Sequence, residues 1–386
     1  MKPASTTTLV VEPDHNGHHL QSVSWIARHA HPWGPVVVLT NRDAPSSPEL
    51  EVYLAEDVAA GRVVLEPVFD DIKPAVEEQA RVVGEYCRAA TSSPVARVLH
   101  MDADQALKHW WRVAPAALRG LARRPQVTFM LTRYPARLAL TDLTGWRLRV
   151  PKAVLAVVAR LRGVLDRTVG YAGRDDDARG WIVRRVQDPA FCTAHSRDAA
   201  RWREEYGLPL DRRLVGVFGV IYERKNVPML LEALEHADVD ADILLAGALS
   251  DGVREWIDSL EPARRARLVV RDDYLSNEQL DRMVAAVDVV PLALTNNGPS
   301  GIMGKAEAAG VPIVTAGSTV RERELRALGA GVACELTVPA LGAAMEQVLE
   351  GRVPIRTGQE DRWAAVDRYT TVLLGPAVSA PVDERR

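Results

Sequence analysis

The segment Asn296 to Val314, NNGPSGIMGKAEAAGVPIV, places a polar, Gly-rich turn between an apolar run (Val289 to Leu294) and a helix-forming stretch. In an open α/β sheet such a junction exposes backbone N–H groups and the positive end of a helix dipole at the carboxyl edge of the strands, which is where anions bind. Gly298, Ser300 and Gly301 permit close backbone approach to phosphate oxygens, and the Ser hydroxyl adds a donor. A second junction, VFGVIYERKNVPMLLEAL, carries Gly219, Arg224 and Lys225 in the turn after another apolar strand. The chain has only six lysines among 48 basic residues, yet Lys225 and Lys305 both fall at strand-to-helix junctions. An ammonium there is a point charge able to neutralise a diphosphate and stabilise its departure. The blander alternatives are a surface lysine at a helix start and an ordinary βα turn that uses Gly and Ser for backbone and capping reasons. A phosphate-bearing small molecule is the expected ligand.

The elements that position these residues are clearest in the C-terminal half, where short apolar runs alternate with amphipathic stretches, the pattern of a parallel sheet covered by helices. Strands are predicted at 214–220, 241–247, 267–274, 288–294, 311–317 and 331–336, with helices at 227–237, 252–260, 276–287, 301–309, 319–328 and 338–350. Ser276 followed by Gln279 is a capping-box pattern. The N-terminal half repeats the grammar with strands at 8–13, 35–41, 62–68, 96–102 and 126–133 and a first helix over LQSVSWIARHA. YAGRDDDARG and RRVQDPAF are predicted to be a domain tail and connector. A doubly wound α/β domain over residues 1–197 is therefore expected, then a second over 198–358. A helix at 360–374, with Trp363, Val366, Tyr369 and Leu373 on one face, is expected to cross back to the first domain within a closing segment, 359–386.

At 386 residues, with 47% hydrophobic and 26% charged residues, the chain suits two globular domains and excludes disordered and fibrous classes. Its longest apolar runs are of strand length, short of the roughly 20 residues that span a bilayer. Cys87, Cys192 and Cys334 are scattered, so no disulfide frame or structural zinc is expected, and the location expected is cytoplasmic, with a peripheral membrane location as a variant. The net charge of −3 conceals an asymmetry: Gln105 to Arg174 holds 14 Lys plus Arg against Asp142 and Asp166, a local balance of +12. Solvated Arg-rich helix faces explain this, as does an electropositive face for an anionic acceptor or membrane surface. Trp110 and Trp111, beside Arg112 and Arg119, fit an interfacial helix or a core-facing one.

FGVIYERKNVPMLLEAL, DILLAG, LSNEQLDRMVAAVDVVPLAL and GKAEAAGVPIVTAG, in this order and spacing, resemble the retaining GT-B glycosyltransferases of the broad family 4. The resemblance covers most of the C-terminal half and implies two Rossmann-like domains facing a cleft, with a nucleotide-sugar donor held mainly by the second. It also implies sugar transfer of the hexosyltransferase type with retention and without a required metal or cofactor; nucleic acid is not an expected partner. Two features depart from the family pattern. The glutamate pair of the family, eight residues apart, falls on Asn297 and Lys305, and an ammonium cannot accept hydrogen bonds from ribose hydroxyls. The Arg that family members carry before the Lys aligns with Val220, leaving Arg224 as a substitute. These departures keep open an alternative, a GT-B protein that binds a nucleotide or partner without conventional transfer.

In the N-terminal half the resemblance implies an acceptor side. Gly17, His18 and His19 follow the first strand, where the family turns a loop toward donor and acceptor; His100 and Asp102 end the fourth, at the position that contacts the transferred sugar. Arg133 and Tyr134, ending the fifth, are further acceptor candidates. Asp102 with Asp104 also imitates a metal-binding DxD, which would suit a GT-A enzyme instead. The roles expected are catalytic for Lys225 and Asp102, and donor-binding for Gly219, Arg224, Lys225, Asn297, Gly298, Ser300, Gly301 and Lys305. Gly17, His18, His100 and Arg133 are expected on the acceptor side.

Overall fold

The computed structural model describes residues 6–16, 19–134, 140, 143–172, 180–189, 191–296, 300–353 and 362–375. The chain divides into two compact units, the first formed by Met1–Ala172, Asp176–Gln187 and Val366–Arg386, the second by Gly173–Asp175 and Asp188–Ala365. By this division the main break falls at Gln187/Asp188, about ten residues before the expected boundary at 197/198.

The first unit is built on seven parallel strands: β1 (Thr7–Val11), β2 (Val36–Asn41), β3 (Val63–Phe69), β4 (Val95–His100), β5 (Gln126–Leu131), β6 (Arg167–Ala172) and β7 (Arg184–Gln187). They lie in the order β3-β2-β1-β4-β5-β6-β7. Around them run α1 (His19–Ala30), α2 (Pro48–Tyr53), α3 (Ala55–Ala59), α4 (Val76–Ala89), α5 (Ala106–Ala117) and α6 (Leu143–Leu161). The central strands are continuous buried runs such as VVVLTN, because helices cover both faces and no alternation is needed. Five of these strands are legible in the sequence. The tail-and-connector reading of 171–187 is corrected by β6 and β7: RTVGYA has basic and small residues where a strand usually has β-branched ones, and RRVQ buries only Val186. Of the two readings of the paired tryptophans, the core-facing one holds for Trp110. It is fully buried, and its Nε1 donates to Val164 O at 2.8 Å.

The second unit carries β8 (Arg213–Phe218), β9 (Ala241–Ala246), β10 (Leu268–Arg271), β11 (Val290–Ala293), β12 (Ile313–Ala316) and β13 (Gly331–Cys334). The ladders run β10-β9-β8 and β11-β12-β13, all parallel. They join where Gly216 N donates to Val289 O at 2.9 Å beside a parallel Val215/Val289 bridge. Helices α7 (Ala199–Glu205), α8 (Val227–His236), α9 (Asp251–Asp258), α10 (Pro262–Arg265), α11 (Asn277–Ala285), α12 (Gly301–Ala309), α13 (Thr319–Leu328) and α14 (Val338–Leu349) cover it. All six strands read from the sequence are present, and the Ser276/Gln279 capping box forms in full. Strand order reverses between β8 and β11, which puts a crevice at the carboxyl ends of those two strands.

The last helix, α15 (Arg362–Leu374), buries Val366, Tyr369 and Leu373. Tyr369 stacks on Tyr171 at 6.2 Å between ring centroids and meets Trp25 edge-on at 6.0 Å. Arg167 donates to the Val372 and Leu373 carbonyls, satisfying the end of α15.

Candidate functional site

In the second unit, β8 delivers Gly219 to the switch point. Its φ of +79° is a left-handed conformation that glycine adopts without strain. A single 3-10 turn, Glu223–Lys225, then folds Lys225 back so that its ammonium donates to the Phe218 carbonyl, the last of β8. A Cβ at Gly219 would lie 3.7 Å from the Lys225 Nζ, so the glycine leaves that nitrogen uncovered on one side. Burial, reinforced by the neighbouring Arg224 charge, pushes the Lys225 ammonium down to about 8. Arg224 is exposed and lies over the Tyr222 ring at 4.2 Å.

Asn226 and Arg321 bind this turn to the end of β11. Asn226 takes a left-handed φ of +51° and donates from Nδ2 to Ala293 O at 2.6 Å. Arg321, fully buried in the first turn of α13, donates to Leu294 O at 2.8 Å and Asn296 O at 2.9 Å. Burial, with the Arg224 charge next, lowers the Arg321 guanidinium to about 10. The loop from β11 to α12 is therefore held from inside by carbonyl contacts, and Ser300 opens α12 as its N-cap. The Ser300 side chain makes no capping hydrogen bond, and a Cβ on Gly301 would meet nothing within 4 Å. Two cations and a third behind them thus gather at neighbouring strand ends near the start of α12, an arrangement suited to a polyanion. Asn297 and Gly298 lie outside the described residues.

Lys305, expected to bind the donor, is engaged within the protein. Its ammonium pairs with Asp281 Oδ1 at 2.5 Å, and the fully buried Asp281 also accepts from Thr193 N at 2.8 Å and Thr193 Oγ1 at 3.0 Å. One turn into α12 the side chain already faces α11, so Lys305 fastens two helices together.

In the first unit, strand order reverses between β1 and β4, and titratable groups collect at their carboxyl ends. Glu12, buried just after β1, pairs with His19 at the start of α1, Oε2 to Nδ1 at 3.1 Å. Burial alone would lower the His19 imidazole. Its hydrogen bond to Glu12 and the charges of Glu12, Asp14 and Asp102 outweigh this and raise it to about 9. Burial raises Glu12 above the ordinary carboxylate range despite His19, and Asp102 adds to that. Asp102 is exposed, has a left-handed φ of +42°, and accepts from Thr132 Oγ1 at 2.5 Å. Replacing Glu12 by Gln is expected to bring the His19 pKa down from about 9 toward the ordinary imidazole value, since the opposing charge goes and the burial stays. An NMR titration of the imidazole nitrogens measures this, and an unmoved His19 would contradict the pairing. The same raised pKa contributes stability that is complete below pH 6.5 and lost as pH rises through about 9.

The remaining residues divide. His100, expected on the acceptor side, lies in the core: its side chain is buried between Trp110, at 4.6 Å, and Phe129, at 4.8 Å between centroids. Burial lowers it to about 3 and keeps it neutral. Both oxygens of the Asp104 carboxylate have protein partners. Its Oδ2 accepts from Thr132 N at 2.9 Å and Arg133 N at 3.0 Å, and its Oδ1 pairs with Lys152. Arg133 is exposed, and its carbonyl accepts from Lys152 Nζ at 2.6 Å. Gly17 and His18 lie outside the described residues. Sequence reasoning missed Glu12, Asn226 and Arg321; for Glu12 a signal exists, an acidic residue directly after a fully buried strand.

No protein-family model matches the chain, and no curated protein matches it. Solved structures do. Sucrose-phosphate synthase from Thermosynechococcus elongatus is 14% identical with a TM-score of 0.61, covering 96% of each chain. HepE from Anabaena, solved in complex with UDP, is 14% identical with a TM-score of 0.61, covering 95% of each chain. WaaG, a glycosyltransferase involved in lipopolysaccharide biosynthesis, is 12% identical with a TM-score of 0.56, covering 96% of this chain and 100% of WaaG. At these identities the likeness concerns architecture: the chain has the GT-B fold that these glycosyltransferases share.

Proposed function

We propose that the protein transfers a sugar, of the hexose type, from a nucleoside-diphosphate donor to an acceptor. The observation that carries this reading is the cationic strand-end site of the second unit, with Lys225 beside Gly219 and the start of α12 at Ser300 and Gly301. Breaking a glycosidic bond to a diphosphate develops negative charge on the leaving group. Lys225, Arg224 and the α12 amides are assigned to its stabilisation, each well-aimed donor contributing about 2.7–4 kcal/mol. Two structures of similar fold support the donor class: HepE has been solved with UDP and with UDP-glucose. Asp102 and the Glu12–His19 pair are assigned to the acceptor side, with Arg133 at its margin. Retention of configuration and family 4 membership rest on the sequence resemblance. Metal independence is supported by the commitment of Asp104 to Lys152 and backbone amides. A reducing, cytoplasmic setting fits the three free cysteines.

The test is a panel of nucleoside diphosphates and their sugars with the purified chain, followed first by thermal shift and then by release of nucleotide in the presence of EDTA. Stabilisation by one nucleotide together with turnover of its sugar is expected. Tight nucleotide binding with no hydrolysis or transfer from any donor would replace this reading by that of a non-catalytic nucleotide-binding protein.

A further inference from the structure

Helix α6 is apolar on the wrong side as well as the right one. Its inner face buries Ala156 and Ala159, while Leu143, Val150, Val154 and Leu161, spaced seven, four and seven residues apart, point outward along one stripe. Leu143 is 70% exposed, Val154 54% and Leu161 83%. Beside this stripe Trp181 stands 96% exposed, and a groove of about 630 Å³ lined by Trp146, Val150, Val154, Trp181 and Ile182 continues the apolar surface. A solvent-facing helix surface is ordinarily charged or polar, so an exposed stripe rimmed by tryptophans marks a contact surface.

Charge selects the partner. Residues 143–162 contain Arg147, Arg149, Lys152, Arg160 and Arg162 and no acidic residue, and residues 180–187 add Arg184 and Arg185, against the acidic run Asp175–Asp177 that precedes Trp181 in the sequence. Arg147 and Arg162 are exposed on α6 or at its end, and Arg184 is exposed alongside. Apolar side chains with the exposed guanidinium groups of Arg147, Arg162 and Arg184 on the same two segments, and Trp181 beside them, match the layered chemistry of an anionic bilayer: acyl chains within, phosphates above. Among the described residues no helix is long and apolar enough to cross a membrane, so α6 would lie on the surface. We infer that the outer face of α6, with Trp181, seats the first unit on an anionic lipid surface. This inference stands apart from sugar transfer; it requires only the fold and the surface.

Flotation of the full-length chain with vesicles tests it. Binding to mixed phosphatidylglycerol–phosphatidylcholine vesicles and not to phosphatidylcholine alone is expected, weakening as salt rises. The double substitution Val154→Asp with Leu161→Asp should lower the partition coefficient at least about tenfold, because it removes two apolar anchors and adds two like charges. The fold should hold, as both side chains face outward; should circular dichroism show otherwise, Trp181→Ser serves instead. Brominated lipids should quench tryptophan emission, and less so in Trp181→Phe. Absence of vesicle binding would overturn the inference, as would binding that salt abolishes but the apolar substitutions leave unchanged. A concentration-dependent dimer broken by those substitutions, without lipid binding, would assign the stripe to a second copy of the chain and equally overturn it.

Discussion

Replacing Lys225 by Met is expected to lower donor turnover by about 10²–10³-fold while leaving the melting temperature within about 3 °C of the parent. The two readouts separate because the ammonium is poorly placed for stability and well placed for an anion. Burial has already pushed it down to about 8, so the folded chain holds this charge at a cost that Met does not incur. Loss of the contact to the Phe218 carbonyl works in the opposite direction, and the two nearly offset. The pH dependence carries a sign that can be checked. The folded pKa lies below the unfolded value of 10.5, so the folded chain binds fewer protons between about pH 8 and 10.5, and this residue makes stability rise with pH across that window. Nucleotide affinity should move the other way. It is expected to be level below pH 8 and to fall by about tenfold per unit above, as the unliganded ammonium loses its proton, until the higher pKa of the complex is reached. Calorimetric titration from neutral to alkaline pH measures this, and the Met variant should show a flat profile. Equal losses of turnover and of melting temperature would make Lys225 a structural residue and remove the main support for sugar transfer.

What the sequence discloses and what it hides follow from the kind of burial involved. The strands of the second unit are buried on both faces, so ADILLA and its counterparts stand out as unbroken apolar runs, and the turns that follow them locate Gly219, Lys225 and Ser300 at strand ends. Helix α6 is hidden because it is apolar on two faces and interrupted by Pro151, which erases the one-sided periodicity of a surface helix. Partnerships between distant polar groups are hidden more thoroughly. Lys305 looks free until α11 brings Asp281 to it, and Asp281 itself reads as one more polar residue in an amphipathic helix. His100 is equally ambiguous, since an imidazole at a strand end serves a pocket or a core, and only the packing of Trp110 and Phe129 decides. Both cases concern tertiary contacts across tens of residues, for which local pattern carries no signal.

Arg321→Met is expected to destabilise the second unit by about 2–4 kcal/mol and, separately, to raise the donor KM by about ten- to a hundredfold. The guanidinium reaches the Leu294, Asn296 and Ala316 carbonyls, at 2.8, 2.9 and 3.4 Å, so one side chain ties the chain leaving β11 to the end of β12. Met fills the volume but leaves those carbonyls without a donor. Arg321→Lys keeps the charge, yet one ammonium cannot span the fork, and it should recover only part of either effect. The KM effect distinguishes positioning from simple support. Arg203 is its counterpart at the opposite, amino edge of the same sheets: it is buried and donates to Ala286 O at 2.7 Å, Arg212 O at 2.9 Å and Asp288 Oδ2 at 2.7 Å. Arg203→Met should therefore cost similar stability while leaving donor KM unchanged at a temperature where both variants are folded. Urea denaturation and steady-state kinetics on the pair give the comparison. A KM that rises equally in both would show that Arg321 only supports the fold. A rise confined to Arg321→Met, with hydrogen exchange quickened at the first amides of α12, would show that a buried cation positions the proposed donor site as well as supporting the fold.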